Sequence, residues 1–398
     1  MITCGVDPSR GSLAISLVKD RKEIDYFEVK NDGQGHAQFL YRLKKHMPMP
    51  GVYIEGHGDF AKRFALFCDS NNVALYEINP LKARRLKESI TVEKSDHIDA
   101  RVAALMPFNN EDMHKMRISL RAEGLKKMAR EYERISSDSA SYKNRLHAHL
   151  NQNYGQLYKR FFKKFSNCAL HFFIEYSDPG KLYSATVSEI HEVLKRSGSR
   201  YYIGKNGLKK AKEIKNIISK ECPESYKYYT EATSGIIGAA AGIIMQLELQ
   251  KDRLNRDISK YTEKYYPGYM EKFKEKFSSI GVIQLAQLLG ELGPVSKYKN
   301  DGHLAAYAGQ VSKTMQSADQ TKNVRRKGYN RSLARVVHGI ALNNTMQNCC
   351  FHEYYKEKKK RFAKKLRALK SVKRVVCKII FETLKEIEEV KKRGKYAA

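Results

Sequence analysis

The sequence predicts an α/β domain at its N terminus, long paired helices in the middle and a mainly α-helical last third. Short apolar runs bounded by turn residues recur up to about residue 78, as expected for strands. Apolar residues then recur at steps of three and four over two long stretches, which is the period of helices that pack along a seam. After residue 271 or so the pattern is helical again.

Residues 1–108 are predicted to form a mixed sheet with helices packed on it, because three strand patterns precede an alternation of helix and strand. The predicted strands are Ile2–Val6, Leu13–Val18, Ile24–Val29, Val52–Glu55 and Val73–Ile78, and the predicted helices lie around His36–His46 and Phe60–Cys68.

Residues 109–270 are predicted to form a coiled-coil region with a small helical insertion near 162–228. The first helical pattern runs over 111–154 and the second over 235–265. Their seam residues are Leu125, Met128, Tyr132, Ile135, Tyr142, Leu146 and His149, then Ile237, Ala240, Ile244, Leu247, Leu254, Ile258 and Tyr261. Such a pair forms either an antiparallel hairpin within one chain or a dimeric coiled coil.

Residues 271–398 are predicted to be helical, with a polar, structureless stretch from Gln310 to Lys327. Two basic amphipathic helices follow, Arg331–Gln347 and Phe362–Lys385. The second carries a row of Lys and Arg opposite an apolar face, and such a row is either a solvated surface or a nucleic-acid contact. The predicted apolar face consists of Phe362, Leu366, Leu369, Val372, Val376 and Ile379.

Four acidic residues are the candidate catalytic site. Asp7 and Glu55 each end an apolar strand pattern, so two adjacent strands would bring both carboxylates to one sheet edge. Asp96 and Asp99 are three residues apart, which places them on one helix face. Four converging carboxylates repel one another unless a cation lies between them, and two Mg²⁺ ions held in this way are typical of phosphoryl transfer. Taken singly, each acid is more often a turn or helix-cap residue.

The charge of the chain points to a polyanionic partner. Lys and Arg number 74 and Asp and Glu 43, which gives a net charge of +31. This favours a nucleic-acid binder, with a ribosomal-type packing protein or a membrane-surface protein as alternatives. No long apolar run or leader pattern is seen, so we expect a cytoplasmic protein without a membrane partner. Seven cysteines without a Cys-x-x-Cys pair argue against a disulfide framework and a zinc site.

Several motifs together resemble the DEDD transposases of the insertion-sequence one-ten group, whose relatives include Piv-type DNA invertases. In the N-terminal part these are Gly5-Val-Asp7, Ile54-Glu55 with Gly58, and Lys94-Ser-Asp-His-Ile-Asp-Ala100. In the C-terminal part they are Glu291-Leu-Gly293, Tyr298, Leu304-Ala-Ala-Tyr-Ala-Gly309, Gln316-Ser317 and a basic motif at Gly328 that opens a helix.

The resemblance implies an α/β ribonuclease-H-like (RuvC-type) N-terminal domain, a long-helix coiled-coil region and a C-terminal transposase domain with a serine nucleophile. It implies that Asp7, Glu55, Asp96 and Asp99 bind Mg²⁺ and that Ser317 is the nucleophile. It also implies donor and target DNA as substrates, a structured bridge RNA as guide, and a homo-oligomer.

Two other functions are compatible with the residues. A RuvC-like nuclease or junction resolvase would use the four acids without any serine chemistry, and it would stay active after Ser317→Ala. A nucleic-acid-binding descendant without activity is the second alternative, although four intact acids argue against it.

Overall fold

The computed structural model describes the chain apart from residues 56, 57, 59, 92, 94, 110–118, 162–164, 197–203, 221–226, 318, 319, 326, 327, 363, 364 and 393–398, and apart from the side chains of 161, 227–229, 312–317, 320–325, 391 and 392. Contacts between residues divide it into two units. Unit 1 comprises Met1–Lys127 and Tyr261–Ala398, and unit 2 comprises Met128–Lys260.

The N-terminal part of unit 1 is built on a mixed sheet, as predicted. Its described strands are β1 (Ile2–Pro8), β2 (Ser12–Lys19), β3 (Lys22–Lys30), β4 (Gly51–Ile54) and β5 (Leu75–Glu77). They are arranged in the order β3-β2-β1-β4-β5. The first three strands pair antiparallel, whereas β4 pairs parallel with both β1 and β5.

Helices pack on this sheet and contribute to its core. They are α1 (Gly33–Leu43), α2 (Lys62–Ser70), α3 (Pro80–Ile90) and α4 (Asp96–Asn109). Asp32 caps α1, and Asn79 caps α3, whose first residue is Pro80. Both are favoured starts of a helix because the cap side chain satisfies free backbone N–H groups and proline lacks one. In the core, the rings of Phe39 in α1 and Phe64 in α2 pack edge to face, with 5.0 Å between their centroids.

The described part of unit 2 contains two long helices and a bundle of short ones. Helix α5 (Leu120–Phe161) enters the unit and α10 (Lys227–Tyr265) leaves it. Between them lie α6 (Asn167–Glu175), α7 (Pro179–Ser184), α8 (Val187–Arg196) and α9 (Lys205–Ile218). Gly155 has a φ of +40° and breaks the helical geometry of α5. Leu146, Phe172 and Ile244 belong to one shared core, so the insertion packs on the long helices.

Within unit 2 the long helices run antiparallel. The Ser139 hydroxyl of α5 donates a hydrogen bond to the Glu248 carboxylate of α10 at 2.6 Å. Further along α5, the Asn153 side chain accepts one at 3.0 Å from Thr233, which comes earlier in α10. The hairpin within one chain is therefore present, and a coiled coil between two chains stays a prediction. By length and composition alone, Thr230–Tyr265 could cross a membrane, a test that core helices of soluble proteins also pass.

In the residues that the structure describes, the C-terminal part of unit 1 is helical except for one hairpin. The helices are α11 (Tyr269–Lys276), α12 (Val282–Leu292), α13 (Asp301–Tyr307), α14 (Arg331–Asn343), α15 (His352–Phe362) and α16 (Lys365–Lys392), with a 3₁₀ turn at Val295–Lys297. The apolar face of α16 differs from the predicted one, because Leu366 is exposed and Ile380 is buried.

The predicted structureless stretch from Gln310 to Lys327 was wrong. Strands β6 (Ser312–Ser317) and β7 (Gln320–Arg325) pair antiparallel as a hairpin. These strands are polar and lack the alternation that reveals a half-buried strand, so the sequence gives little local signal. The base of the hairpin is held by contacts between residues that are far apart in the sequence.

Candidate functional site

Asp7 and Glu55 lie side by side at one edge of the sheet. Asp7 is near the end of β1, and Glu55 directly follows β4. The two strands are parallel neighbours, with Val6 opposite Ile54. Ser9 and Ser12 hold the turn after β1, since the Ser9 N–H donates to the Ser12 carbonyl at 2.9 Å. The Asp7 carboxylate is thus not needed to hold that turn.

Asp96 and Asp99 lie in the first turn of α4, as the sequence predicted. The cap of this helix is Ser95, whose hydroxyl accepts a hydrogen bond from the Ile98 N–H at 3.2 Å. Because Ser95 fills this role, the two aspartates remain available for another one.

Glycine at position 5 brings α4 directly onto β1. A Cβ atom there would collide with backbone atoms of Ala100 and Ala104, so only glycine permits this approach. The Thr3 hydroxyl also donates a hydrogen bond to the Ala104 carbonyl at 2.7 Å. The strand that carries Asp7 and the helix that carries the two aspartates are therefore in direct contact.

The four carboxylates are close enough to affect one another. The pKa of Asp7 is raised to about 6, first by burial and then by the negative charges of Asp99, Asp96 and Glu55. The pKa of Glu55 is raised as well, by burial and by Asp99. Asp7 and Asp99 are partly buried, whereas Glu55 and Asp96 are exposed, so the cluster faces solvent. The four acids therefore lie near one another, on β1, directly after β4 and on α4, and their role as metal ligands stays a prediction.

A lysine that the sequence reasoning did not single out belongs to the same cluster. Lys87, near the end of α3, forms an ion pair with Asp99. Its positive charge also lowers the pKa of Asp7 and of Glu55, against the effects that raise them. Basic residues are frequent in α3, and nothing in the sequence distinguishes this one from its neighbours.

A second polar group joins α4 to the outer strands. His97 Nε2 lies 3.0 Å from a carboxylate oxygen of Glu23 in β3, and the same carboxylate accepts a hydrogen bond from the Ser16 hydroxyl of β2. The ring of Tyr26 packs on His97 with 4.0 Å between centroids. The pKa of Tyr26 is raised to about 12 by burial, by Glu28 and by Asp96. These contacts fix the first turn of α4 over the sheet.

The donor set of the cluster suits a hard divalent cation, because it consists of carboxylate oxygens. Across the part of the chain that the structure describes, however, no three His, Cys, Asp or Glu side chains are close enough to hold a metal ion together. One oxygen of one of the four carboxylates, that of Asp99, is paired with the Lys87 ammonium group.

Ser317 is the last residue of β6 and pairs with Gln320 across the hairpin. Its side chain lies outside the described residues, as do those of the basic residues near it in sequence, Lys313, Lys322, Arg325 and Arg326. Gly56 and His57, which follow Glu55, also lie outside the described residues, and so does Lys94 of the predicted motif.

The base of this hairpin is held by motif residues. Asn330 caps α14, and its N–H donates to the Tyr307 carbonyl at 2.8 Å. The Asn330 side-chain amide donates to the buried Glu291 carboxylate at 2.8 Å. Gly309 has a φ of +68°, and any Cβ there would strike the ring of Tyr329. The chain segments before β6 and after β7 are therefore joined to each other, and the second is joined to α12 through Glu291.

Comparison with known families gives two matches. A DEDD transposase family model, described as "Transposase", matches residues 4–154. A second model, described as "Transposase IS116/IS110/IS902 family", matches residues 275–356. A search of curated proteins finds no match. The first match contains all four acids, and the second contains the hairpin with Ser317 and its base.

Proposed function

The chain belongs to the IS110 family of transposases, and from this premise we propose that it cuts and rejoins DNA with a Mg²⁺-binding carboxylate tetrad and a serine nucleophile, guided by a bridge RNA. Transposases of this family act on DNA in transposition and recombination, and a DEDD domain indicates dependence on a divalent metal. The observation that carries the proposal is geometric: Asp7 of β1 and Glu55, directly after the parallel strand β4, lie beside the first turn of α4, which carries Asp96 and Asp99 and contacts β1.

Asp7, Glu55, Asp96 and Asp99 are the proposed ligands of Mg²⁺. Their carboxylates come from β1, from the residue directly after its parallel neighbour β4, and from α4, which contacts β1. Magnesium bound here would neutralise the repulsion and stabilise negative charge on the oxygens of a scissile phosphate. Exposure of Glu55 and Asp96 leaves the cluster open to a nucleic-acid backbone.

Ser317 is the proposed nucleophile. Its Oγ would attack phosphorus and release its proton, while the P–O3′ bond breaks and the departing 3′ oxygen takes up a proton. The phosphoserine bond retains the energy of the broken bond. A 3′ hydroxyl of another strand then attacks the same phosphorus and releases Ser317, so rejoining requires no external cofactor.

The test is to trap the reaction on end-labelled DNA with its guide RNA and to look for protein–DNA adducts that survive denaturation. Wild type should give adducts, whereas Ser317→Ala and Asp96→Asn should give none. Ser332→Ala is a matched control, because Ser332 is a second serine of the same domain. Cleavage by Ser317→Ala at the wild-type rate would leave the metal-only nuclease as the better explanation.

The proposed guide RNA and DNA would be bound mainly through their phosphates. The net charge of +31 supports this, and the exposed Arg367, Lys370, Arg374 and Lys378 form a row on α16 opposite its buried face. With six or more phosphate contacts, affinity should fall by roughly a factor of 10³ between about 50 and 200 mM salt. Preference for the element's own RNA over another structured RNA of equal length would separate guiding from charge attraction.

A homo-oligomer and a cytoplasmic location complete the proposal. Ile236, Ile243 and Leu249 of α10 are exposed apolar residues, which supports a contact with a second copy. Mass measurement in solution, with and without RNA, tests this. A strict monomer under both conditions would contradict it.

A further inference from the structure

Lys87 stands out because its charge lies among carboxylates that would otherwise repel one another. Its side chain is 19% exposed and that of Asp99 26%, so the ion pair is partly shielded from water. The other basic residues of α3, which include Arg85, are all exposed. Lys82 is exposed, and Arg84 pairs with Glu88 at 2.8 Å on the outer side of the helix.

The same Asp99 carboxylate cannot serve Lys87 and a divalent cation equally well. An ammonium group next to a doubly charged ion is repelled by it, and this repulsion is strong where water is partly excluded.

We propose that Lys87 is a built-in counter-ion of the tetrad, which holds Asp99 in the metal-free protein and is displaced from it when the divalent cation binds. This rests on the proposed role of the tetrad as a metal site. Lys87 thereby keeps the four carboxylates assembled before metal arrives and weakens the affinity of the site for metal. Once displaced, its ammonium group is free to contact a DNA phosphate at the edge of the site.

The coupling is reciprocal, and this makes it measurable. If Lys87 and the cation compete for Asp99, removing the ammonium must tighten metal binding by the same factor by which metal weakens the ion pair. Removing the ammonium group must also destabilise the metal-free protein, because the negative charges of the carboxylates are then no longer compensated.

The experiment uses the full chain with Lys87→Gln, and Lys82→Gln as a control with the same charge change on the same helix. Mn²⁺ binding is measured by calorimetry at about pH 8, and thermal unfolding is followed in the presence of a chelator. We expect Lys87→Gln to bind Mn²⁺ roughly tenfold more tightly and to unfold at a lower temperature without metal. Lys82→Gln should match wild type in both measurements. Equal or weaker Mn²⁺ binding by Lys87→Gln would overturn the proposal.

A measurement on the wild type covers the case in which Lys87→Gln does not fold. Lysines are acylated briefly with and without Mn²⁺, and modification is quantified by mass spectrometry. Lys87 should react faster when Mn²⁺ is bound, because it leaves the ion pair, while Lys82 should not change. A rate at Lys87 that is unchanged or lower would overturn the proposal. If the wild type binds no Mn²⁺ at all, the proposed metal site itself fails, which is a different result.

Discussion

The acidic cluster and the serine hairpin are held in place by different means. Asp7 and Asp99 belong to a strand and a helix in direct contact, and α4 lies so close to β1 that a Cβ atom at Gly5 would collide with its backbone. Ser317 belongs to a polar hairpin whose base is joined to the helices by hydrogen bonds of Asn330. Mutually repelling charges require a rigid frame, whereas a single hydroxyl group requires an anchored segment.

The largest expected effect tests the tetrad itself. Asp96→Asn should lower DNA strand cleavage by roughly a factor of 10³ or more, because a metal ligand and its charge are lost. Thermal unfolding should be little changed, since Asp96 is exposed and Ser95 caps the helix. Glu88→Gln, an exposed acid on α3, is the control. Cleavage at the wild-type rate by Asp96→Asn would remove the tetrad from the mechanism.

The frame of the acidic cluster is tested by Gly5→Ala. The added methyl group meets the backbone of Ala100 and Ala104, which cannot move without separating α4 from β1. We expect a loss of about 3 kcal/mol or more in the free energy of unfolding. Gly11→Ala, where an added Cβ meets nothing within 4 Å, should cost far less. Similar unfolding midpoints in denaturant for the two variants would refute the close-contact argument.

The anchor of the hairpin is tested by Asn330→Ala. The variant loses the cap of α14 and the donor to Glu291, so the free energy of unfolding should fall by about 1–3 kcal/mol. Adduct formation through Ser317 should fall too, while metal binding by the tetrad should stay unchanged. Asn300→Ala removes a cap alone, that of α13, and should leave adducts intact. Loss of metal binding in Asn330→Ala would mean that the two sites are not held independently.

The smallest effect concerns the charge of Asp7 in metal-free protein. Its pKa rises from 3.8 to about 6 on folding, so the folded chain keeps a proton that the unfolded chain has released. The loss of stability that comes from ionising Asp7 is therefore complete above about pH 6 and absent below about pH 4. With partial exposure taken into account, Asp7→Asn should stabilise the protein by about 1 kcal/mol at about pH 8 and hardly at all at pH 4. The free energy of unfolding of both proteins is measured with a chemical denaturant at both pH values. A gain in stability of Asp7→Asn at pH 4 alone would contradict the prediction.

The sequence was most informative where burial imposes a pattern. Strands β1 to β5 were predicted because apolar runs mark them, and the acids at their ends followed from the strands. Lys87 was not predicted, because a lysine becomes special only through the helix packing that brings it to Asp99. The hairpin was missed because its strands are polar and its base depends on Glu291 and Tyr307, which lie outside the strands themselves.

The path of the chain through unit 2 has a consequence for folding order. The Tyr261 hydroxyl donates a hydrogen bond to the Arg121 carbonyl at 3.1 Å, so the chain returns to unit 1 next to where it left. Contacts within unit 2 are closer in sequence than those joining the two parts of unit 1, and local contacts form with less loss of chain entropy. We expect unit 2 to fold early and shorten the loop that unit 1 must close. In a chain in which a short turn replaces residues 128–260, this loop is short from the start. The sheet and the C-terminal helices should then fold together without a preceding step in unit 2.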